Sequence, residues 1–367
     1  MFQRRKWPTS LLFASVLLAA VACGLANHSD DDLTSDDDDN DATVDDDDGS
    51  PGDDDGLPPD DDNDDNDNND SMSWSPMVGA ESITLTGIWG TSPSDVYAVG
   101  SYDGIDIGFI FHYDGASWSE PEGWTLPFEA VAVWETSPSD IWAGGDDIYK
   151  QSGAIAHFDG RTWQTMVDVI DASFGSMWGA SPSDVWALDR EYIWRYDGST
   201  WSPVVAPDSG YLAGIWGNSS SDVYAVGDHS VLRFDGSSWS ELTDEATHIS
   251  YWTAAWGNER SDVFVVGEPA FISHYDGASW SVTNPEPAGS LLALWGSSST
   301  DVFAVGGYFD QYGSPLPRSL ILHYDGSSWS PMSAPSNNML GGVWGSSYSD
   351  VFAVGDNGTI LHYGPRQ

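Results

Sequence analysis

Residues 71–77 read SMSWSPM, and five of them, SWSPM, return as residues 328–332. In the second place they close a repeat unit; in the first, only an acidic tract stands before them. From Gly87 onward the sequence is periodic. Trp89, Trp134, Trp178, Trp216, Trp256, Trp295 and Trp344 lie 38 to 49 residues apart, each followed by Gly except in the second copy, where Glu follows. A little after each comes an Asp (Asp95, Asp140, Asp184, Asp222, Asp262, Asp301, Asp350), then Val or Ile, an aromatic and small residues, as in DVYAVG. A third apolar run ends in aromatic-Asp-Gly, as in IFHYDGASW and ILHYDGSSW.

Each copy reads as four short strands, here a to d. Strand a ends at Trp-Gly, and a turn such as TSPSD leads into strand b. Strand c ends at Tyr-Asp-Gly, where Gly can take positive φ, and a tight turn starts strand d at Trp-Ser. Recurring four-stranded units of this length predict an all-β propeller. The last copy stops at ILHYGPRQ and lacks a Trp-Ser strand. SMSWSPM is that strand: residues 71–78 are expected to pair beside 359–363 and close a ring of seven four-stranded blades over 71–367. Closure leaves only short sheet edges. Small residues two positions before each strand-a Trp (Gly87, Ala132, Ser176, Gly214, Ala254, Ala293, Gly342) mark strand a as the innermost, where strands crowd.

Composition divides the rest of the chain. Residues 30–70 hold 22 Asp and no Lys or Arg; with almost nothing to bury and strong self-repulsion, residues 23–70 are expected to form a disordered acidic tether. The formal charge of −47 also has a second source, because 71–367 keeps 36 acids against 8 Lys and Arg. Such a surface repels nucleic acid. The tract contains DDDDGSPGDDDG but not the ligand spacing of a calcium loop, so it offers diffuse Ca²⁺ association and no defined site. No cofactor is expected.

Residues 1–22 read as a signal peptide, with Arg4, Arg5 and Lys6 ahead of an apolar run too short to span a membrane comfortably. The stretch Leu18-Ala-Ala-Val-Ala-Cys23-Gly24 resembles a bacterial lipobox, with Ala20 where Leu is more typical. That resemblance implies lipid attachment at Cys23, the sole cysteine of the chain. Gly24, in place of Asp, then implies the outer membrane or cell surface, with the tether as a spacer.

The pattern W-G-x-S-x-x-D-V-aromatic-A-V-G followed by H-Y-D-G-x-x-W resembles the Asp-box or BNR-like propeller repeats, including those of photosystem assembly-factor-like proteins. The resemblance covers 71–363. It departs in one detail: Asp114 and Gly115, like their equivalents, are adjacent, whereas an Asp box spaces them by one residue. It implies a fold and leaves function open, since propellers host hydrolases, lyases and binding modules.

Residues that look chemical read mostly as architecture. The seven strand-a Trp and the strand-d set (Trp74, Trp118, Trp163, Trp201, Trp239, Trp280, Trp329) each bury about 150–250 Å², enough for packing to explain them. His112, His157, His274, His323 and His362 occupy one strand-c position in five blades, with Arg195 and Arg233 in the other two; spread around a ring, they cannot converge on one metal ion. The seven strand-b Asp residues are expected to hold turns by bonding nearby backbone N–H groups. No HExxH, GxSxG or phosphate loop is present, and the placement leaves only Arg190 and Arg318 on the face where a sialidase-like site would need three Arg.

The a–b and c–d turns share one face and hardly vary, while the b–c and d–a connections share the other and vary freely. Variable loops on a repeated scaffold are where ligands bind. The candidate contacts there are Tyr102, Asp103, Trp124, Phe128, Tyr149, Tyr211, Tyr251, Trp252, Tyr308, Phe309, Asp310 and Tyr312. The function expected is a non-catalytic, monomeric binding or scaffolding propeller for a glycan or protein ligand, anchored to the membrane by lipid. The alternatives are a carbohydrate-active hydrolase or lyase using the same face, and a purely structural envelope protein.

Overall fold

A computed structural model describes residues 72–102, 104–207, 210–242, 247–286, 289–309 and 315–365. Among them, seven antiparallel four-stranded sheets follow one another along the chain. Blades 1 to 6 occupy 84–119, 129–170, 176–204, 212–241, 251–283 and 290–331. Blade 7 combines 340–365 with the strand Met72–Met77. Every sheet runs a-b-c-d. In blade 7 the N-terminal strand lies antiparallel to Thr359–Pro365, with Trp74 opposite Tyr363 and Met77 opposite Ile360. The expected closure is therefore present.

Strand a is innermost because it meets strand a of the next blade. The Thr86 hydroxyl donates to the Val131 carbonyl of blade 2 at 3.1 Å, and Thr253 donates to Leu291 O of blade 6 at 2.7 Å. The Ile215 N–H donates to the Ser176 hydroxyl between blades 3 and 4 at 3.1 Å. A Cβ on Gly87 or Gly214 would run into the backbone of the neighbouring inner strand, which is why this position stays small.

Outward from the axis, the blades are held by rings. The strand-b aromatic of six blades faces the c-end aromatic and the strand-d Trp of the next, while between blades 1 and 2 Trp124 stands between Tyr97 and Phe158. Trp142 lies 4.9 Å from Tyr196 and 5.5 Å from Trp201; Trp186, Phe264 and Phe352 repeat the arrangement with Phe234 and Trp239, Tyr324 and Trp329, and Tyr113 and Trp118. Tyr224 belongs to the cluster against which Tyr275 and Trp280 pack. At the closing boundary, Phe303 of blade 6 meets Tyr363 at 5.4 Å and Trp74 at 6.0 Å, edge to face. The N-terminal strand thus supplies one of these inter-blade ring contacts as well as a strand.

Within each blade the strand-b Asp does something other than the expected capping of backbone N–H groups. The residue two places on is the strand-b aromatic, on the same face, and the strand-c His or Arg lies directly opposite it, as Trp142 opposes His157 and Trp186 opposes Arg195. The His or Arg covers the aromatic face and bonds the Asp. His157 stacks 4.1 Å from Trp142, His274 lies 3.8 Å from Phe264, and Arg195 lies 4.6 Å over Trp186. The Asp contacts measure 3.0 Å for His112–Asp95, 2.6 Å for His157–Asp140, and 2.7 Å for Arg195–Asp184, Arg233–Asp222, His274–Asp262, His323–Asp301 and His362–Asp350. In four blades the second carboxylate oxygen accepts a hydroxyl from four residues earlier: Thr91, Thr136, Ser297 and Ser346. Blades 3 to 5 have Ala180, Asn218 and Asn258 there, and Oδ2 of Asp184, Asp222 and Asp262 is buried without a partner.

Blade 2 breaks the pattern at the axis. In the other blades the strand-a Trp ring lies against the next blade's Gly: Trp344 on Gly90, Trp134 on Gly179, Trp178 on Gly217, Trp216 on Gly257, Trp256 on Gly296 and Trp295 on Gly345. Glu135 takes this place beside Trp89. With no glycine to rest on, Trp89 reaches core clusters drawn from blades 7 and 1 through to 3 and 4. Glu135 is 2% exposed, with no side-chain hydrogen-bond partner and only the Thr91 backbone N–H near enough to favour its charged form. Burial, then the nearby Asp95, push its pKa from the ordinary 4.5 up to about 9.

Three outcomes follow for stability. Trp74→Ala removes a buried ring at the seam and should cost about 3–5 kcal/mol, with faster amide exchange in Thr359–Pro365 than in other strands. Ala180→Thr supplies the hydroxyl that Asp184 Oδ2 lacks and should raise stability by about 0.5–1.5 kcal/mol in denaturant titration. Because the folded pKa of Glu135 exceeds its unfolded value, the native state is penalised progressively as pH rises from 4.5 to about 9. Glu135→Gln should therefore match the parent near pH 4 and gain on it above, by at most ~1.4 kcal/mol per pH unit; a pH-independent difference would refute this.

Candidate ligand-binding face

The two faces of the ring use their carboxylates differently. On the a–b and c–d face, Asp114, Asp159, Asp197, Asp235, Asp276 and Asp325 each accept two backbone N–H groups from residues two and three ahead, at 2.8–3.0 Å. The following glycine needs its freedom: Gly115 has φ +91°, and a Cβ there would fall 2.8 Å from Ser94 of the a–b turn. Where Ser stands two places after the Asp, its hydroxyl adds a third bond and holds Asp197, Asp235 and Asp325 down to about 2. These acids are committed to turns.

On the opposite face, the b–c loops of blades 1 to 3 are tied to one another. The Asp106 carboxylate crosses from blade 1 to accept the Ile148 N–H at 3.0 Å and the Tyr149 N–H at 3.2 Å in blade 2. Burial and a hydrogen bond shared with Asp147 hold Asp106 above the usual carboxylate range. Buried Asp147 accepts the Lys150 backbone N–H at 2.8 Å and the Lys150 ammonium at 2.5 Å, and that ammonium also lies 3.7 Å from Asp168. Asp146 accepts the Ser173 hydroxyl at 2.8 Å and has Arg190 of blade 3 at 3.8 Å; burial raises its pKa. Asp189 is raised by burial too, although it accepts the Trp194 indole N–H and the Tyr192 backbone N–H, both at 2.7 Å.

These bonds fix loops that carry apolar side chains into solvent. Ile105 and Ile107 of blade 1, Ile148 and Tyr149 of blade 2 and Tyr192 of blade 3 are all exposed, Tyr149 to 78%. A rigid loop that presents isoleucine and tyrosine amid carboxylates forms a mixed apolar and acidic contact surface. Among the described residues no three His, Cys, Asp or Glu gather closely enough to hold a metal ion. Clefts of about 370 and 490 Å³ open between blades 1 and 2 and between blades 5 and 6, beside the Asp-Gly hairpins.

The aromatic candidates separate by environment. Tyr149 stands free on the variable face, and Tyr211 and Tyr251 lie there with ring centroids 5.6 Å apart. Tyr102 packs edge-on against Phe109, and Tyr308 lies under the Arg318 guanidinium at 4.9 Å. Phe128 and Trp252 are core rings, 1% and 0% exposed, and offer a ligand nothing. Trp124 is also structural: it slots between blades 1 and 2, 5.9 Å from Tyr97 and 4.6 Å from Phe158. Phe309 ends strand b of blade 6, while Cys23, the acidic tract, Asp103, Asp310 and Tyr312 fall outside the described residues. Asp106, Asp146, Asp147, Ile148 and Lys150 were not among the candidates. Lys150 alone left a trace, as the one lysine after Lys6.

No family model and no curated protein matches the chain. Its fold recurs in solved structures at low identity. YCF48 bound to D1 peptide superimposes with a TM-score of 0.62 at 14% identity, covering 80% of this chain and 97% of that one. YCF48 from Cyanidioschyzon merolae gives 0.60 at 11%, covering 80% and 99%. Virginiamycin B lyase from Staphylococcus aureus gives 0.63 at 11%, again covering 80% and 99%. The chain is thus a seven-bladed propeller similar in architecture to both a peptide-bound protein and a lyase.

Proposed function

We propose that this is a non-catalytic, peptide-binding propeller whose variable face over blades 1 to 3 receives a segment of a partner protein. The observation that carries the reading is the Asp106 bridge, which holds Ile148 and Tyr149 outward on a tied loop. Preorganised apolar contacts ringed by incompletely neutralised carboxylates favour a segment that mixes apolar and basic residues. The similarly folded YCF48 has been solved with a peptide bound, which supports a peptide over a glycan. A lyase or hydrolase reading would draw on the carboxyls of this face, among which Asp106 and Asp147 stand nearest the exposed Ile148 and Tyr149. Their bonds to Ile148, Tyr149 and Lys150 give them a scaffolding role instead.

Localisation belongs to the same proposal: attachment through Cys23 would place the domain at the outer membrane or cell surface, behind its acidic tether. Screening the mature protein against a peptide library and a glycan array tests the ligand. Enrichment of apolar-basic peptides, weakened about tenfold or more by Ile148→Ser with Tyr149→Ser, is the expected result. Glycan binding, or product release abolished by Asp106→Asn, would overturn it. Mass spectrometry of the mature N-terminus should find a lipidated Cys23; an unmodified start well beyond it would remove the anchor.

A further inference from the structure

Six blades protect their outermost strand from further pairing. In blades 1, 4 and 5 it spans only Trp118–Ser119, Trp239–Glu241 and Trp280–Thr283. In blades 3, 6 and 7 it carries a proline, Pro203, Pro331 and Pro76, and proline cannot donate to a ladder. Blade 2 has neither device. Its strand d, Trp163–Ile170 (WQTMVDVI), runs eight residues with no proline, glycine or lysine. It is rich in β-branched residues and ends level with the tied loops of the variable face, where Ile170 lies opposite Ser152. A long, unguarded edge of this kind is a template for another strand.

We propose that strand d of blade 2 is a strand-addition site that takes an extended segment of a partner protein, with a cationic residue and an apolar one two positions to either side of it. The inference rests on the peptide-binding reading and gives it a location and a sequence preference. Met166, Asp168 and Ile170 alternate on the exposed side, with Ile170 73% and Met166 40% exposed. A register shift opposite Ile155 and Ala156 leaves Met166 at the lip of the platform and Val167–Ile170 as its regular part. An added strand would set apolar side chains against Met166 and Ile170 and a cation against Asp168, whose present neighbour, the Lys150 ammonium, lies 3.7 Å away and bonds Asp147 more closely. A second copy is the wrong occupant. Antiparallel self-pairing centred on this stripe would put Asp168 opposite Asp168, and like charges directly opposed destabilise a ladder. Each copy also brings 36 acids against 8 Lys and Arg in residues 71–367.

Hydrogen exchange of the mature protein with the acetylated, amidated peptide Val-Thr-Lys-Thr-Val tests this. Protection should appear across 163–170, vanish when the peptide backbone is N-methylated, and weaken about three- to tenfold when Lys is replaced by Glu. Asp168→Lys, at an exposed position, should reverse the preference between the two peptides without altering the fold. Protection confined to residues 105–107 and 148–149 would overturn the edge site and leave the peptide-binding reading standing; absence of protection anywhere would overturn the edge site as well. Concentration-dependent dimers in sedimentation, lost in Asp168→Lys, would show that the occupant is a second copy and refute the proposal.

Discussion

The architecture depends on one contact repeated at six of the seven blade boundaries, a strand-b ring of one blade against the c-end ring and strand-d Trp of the next, with Trp124 inserted between Tyr97 and Phe158 at the remaining one. Every sheet is antiparallel, and six of the seven are local in sequence, the seventh taking its outer strand from Met72–Met77. The ring contacts are what turn seven hairpin pairs into a single body, because they bury the broad faces that an isolated four-stranded sheet would leave wet. Aromatic burial dominates such interfaces. At the seam the contact is made by a residue 229 positions from its partner, Trp74 against Phe303.

A second repeated device acts inside the blade. Asp, aromatic and His or Arg form a three-part clasp in which a planar cation-capable side chain covers a ring and accepts the carboxylate's orientation. Arg serves in blades 3 and 4 and His in the others, since both are flat and both reach the Asp from the residue opposite the ring. The clasp is intact in every described blade, so each of these Asp, His and Arg side chains has a structural partner.

Much of this was legible in the sequence. The strand order, the small inner residues and the closing role of SMSWSPM all follow from periodicity, which averages over seven copies and so suppresses local noise. The clasp was half legible: Asp and His stood out, but their pairing depends on register, and only the His-to-Arg exchange at one position hinted at a common partner. The site was the least legible part. Loops do not repeat, so composition alone had to serve, and an aromatic between strands can equally fill a core, as Phe128 and Trp252 do, or wedge a blade boundary, as Trp124 does. The residues that shape the face are short acids and isoleucines, whose significance comes from a bond across blades, Asp106 to Ile148 and Tyr149, that no spacing rule announces. Glu135 was visible as the single exception to Trp-Gly, and its burial follows from the crowding that selected glycine elsewhere.

The composite seventh blade also has a temporal meaning. Ser75 and the carbonyl it bonds, His362, are separated by 287 positions. A ribosome adding about 5–20 residues per second needs on the order of 15–60 s to travel between them. Throughout that interval the earliest strand has no mate, because its partner Thr359–Pro365 is the last strand of the chain to be made. Until both ends are in place, Phe303 lacks Tyr363 and Trp74, its ring partners across the seam.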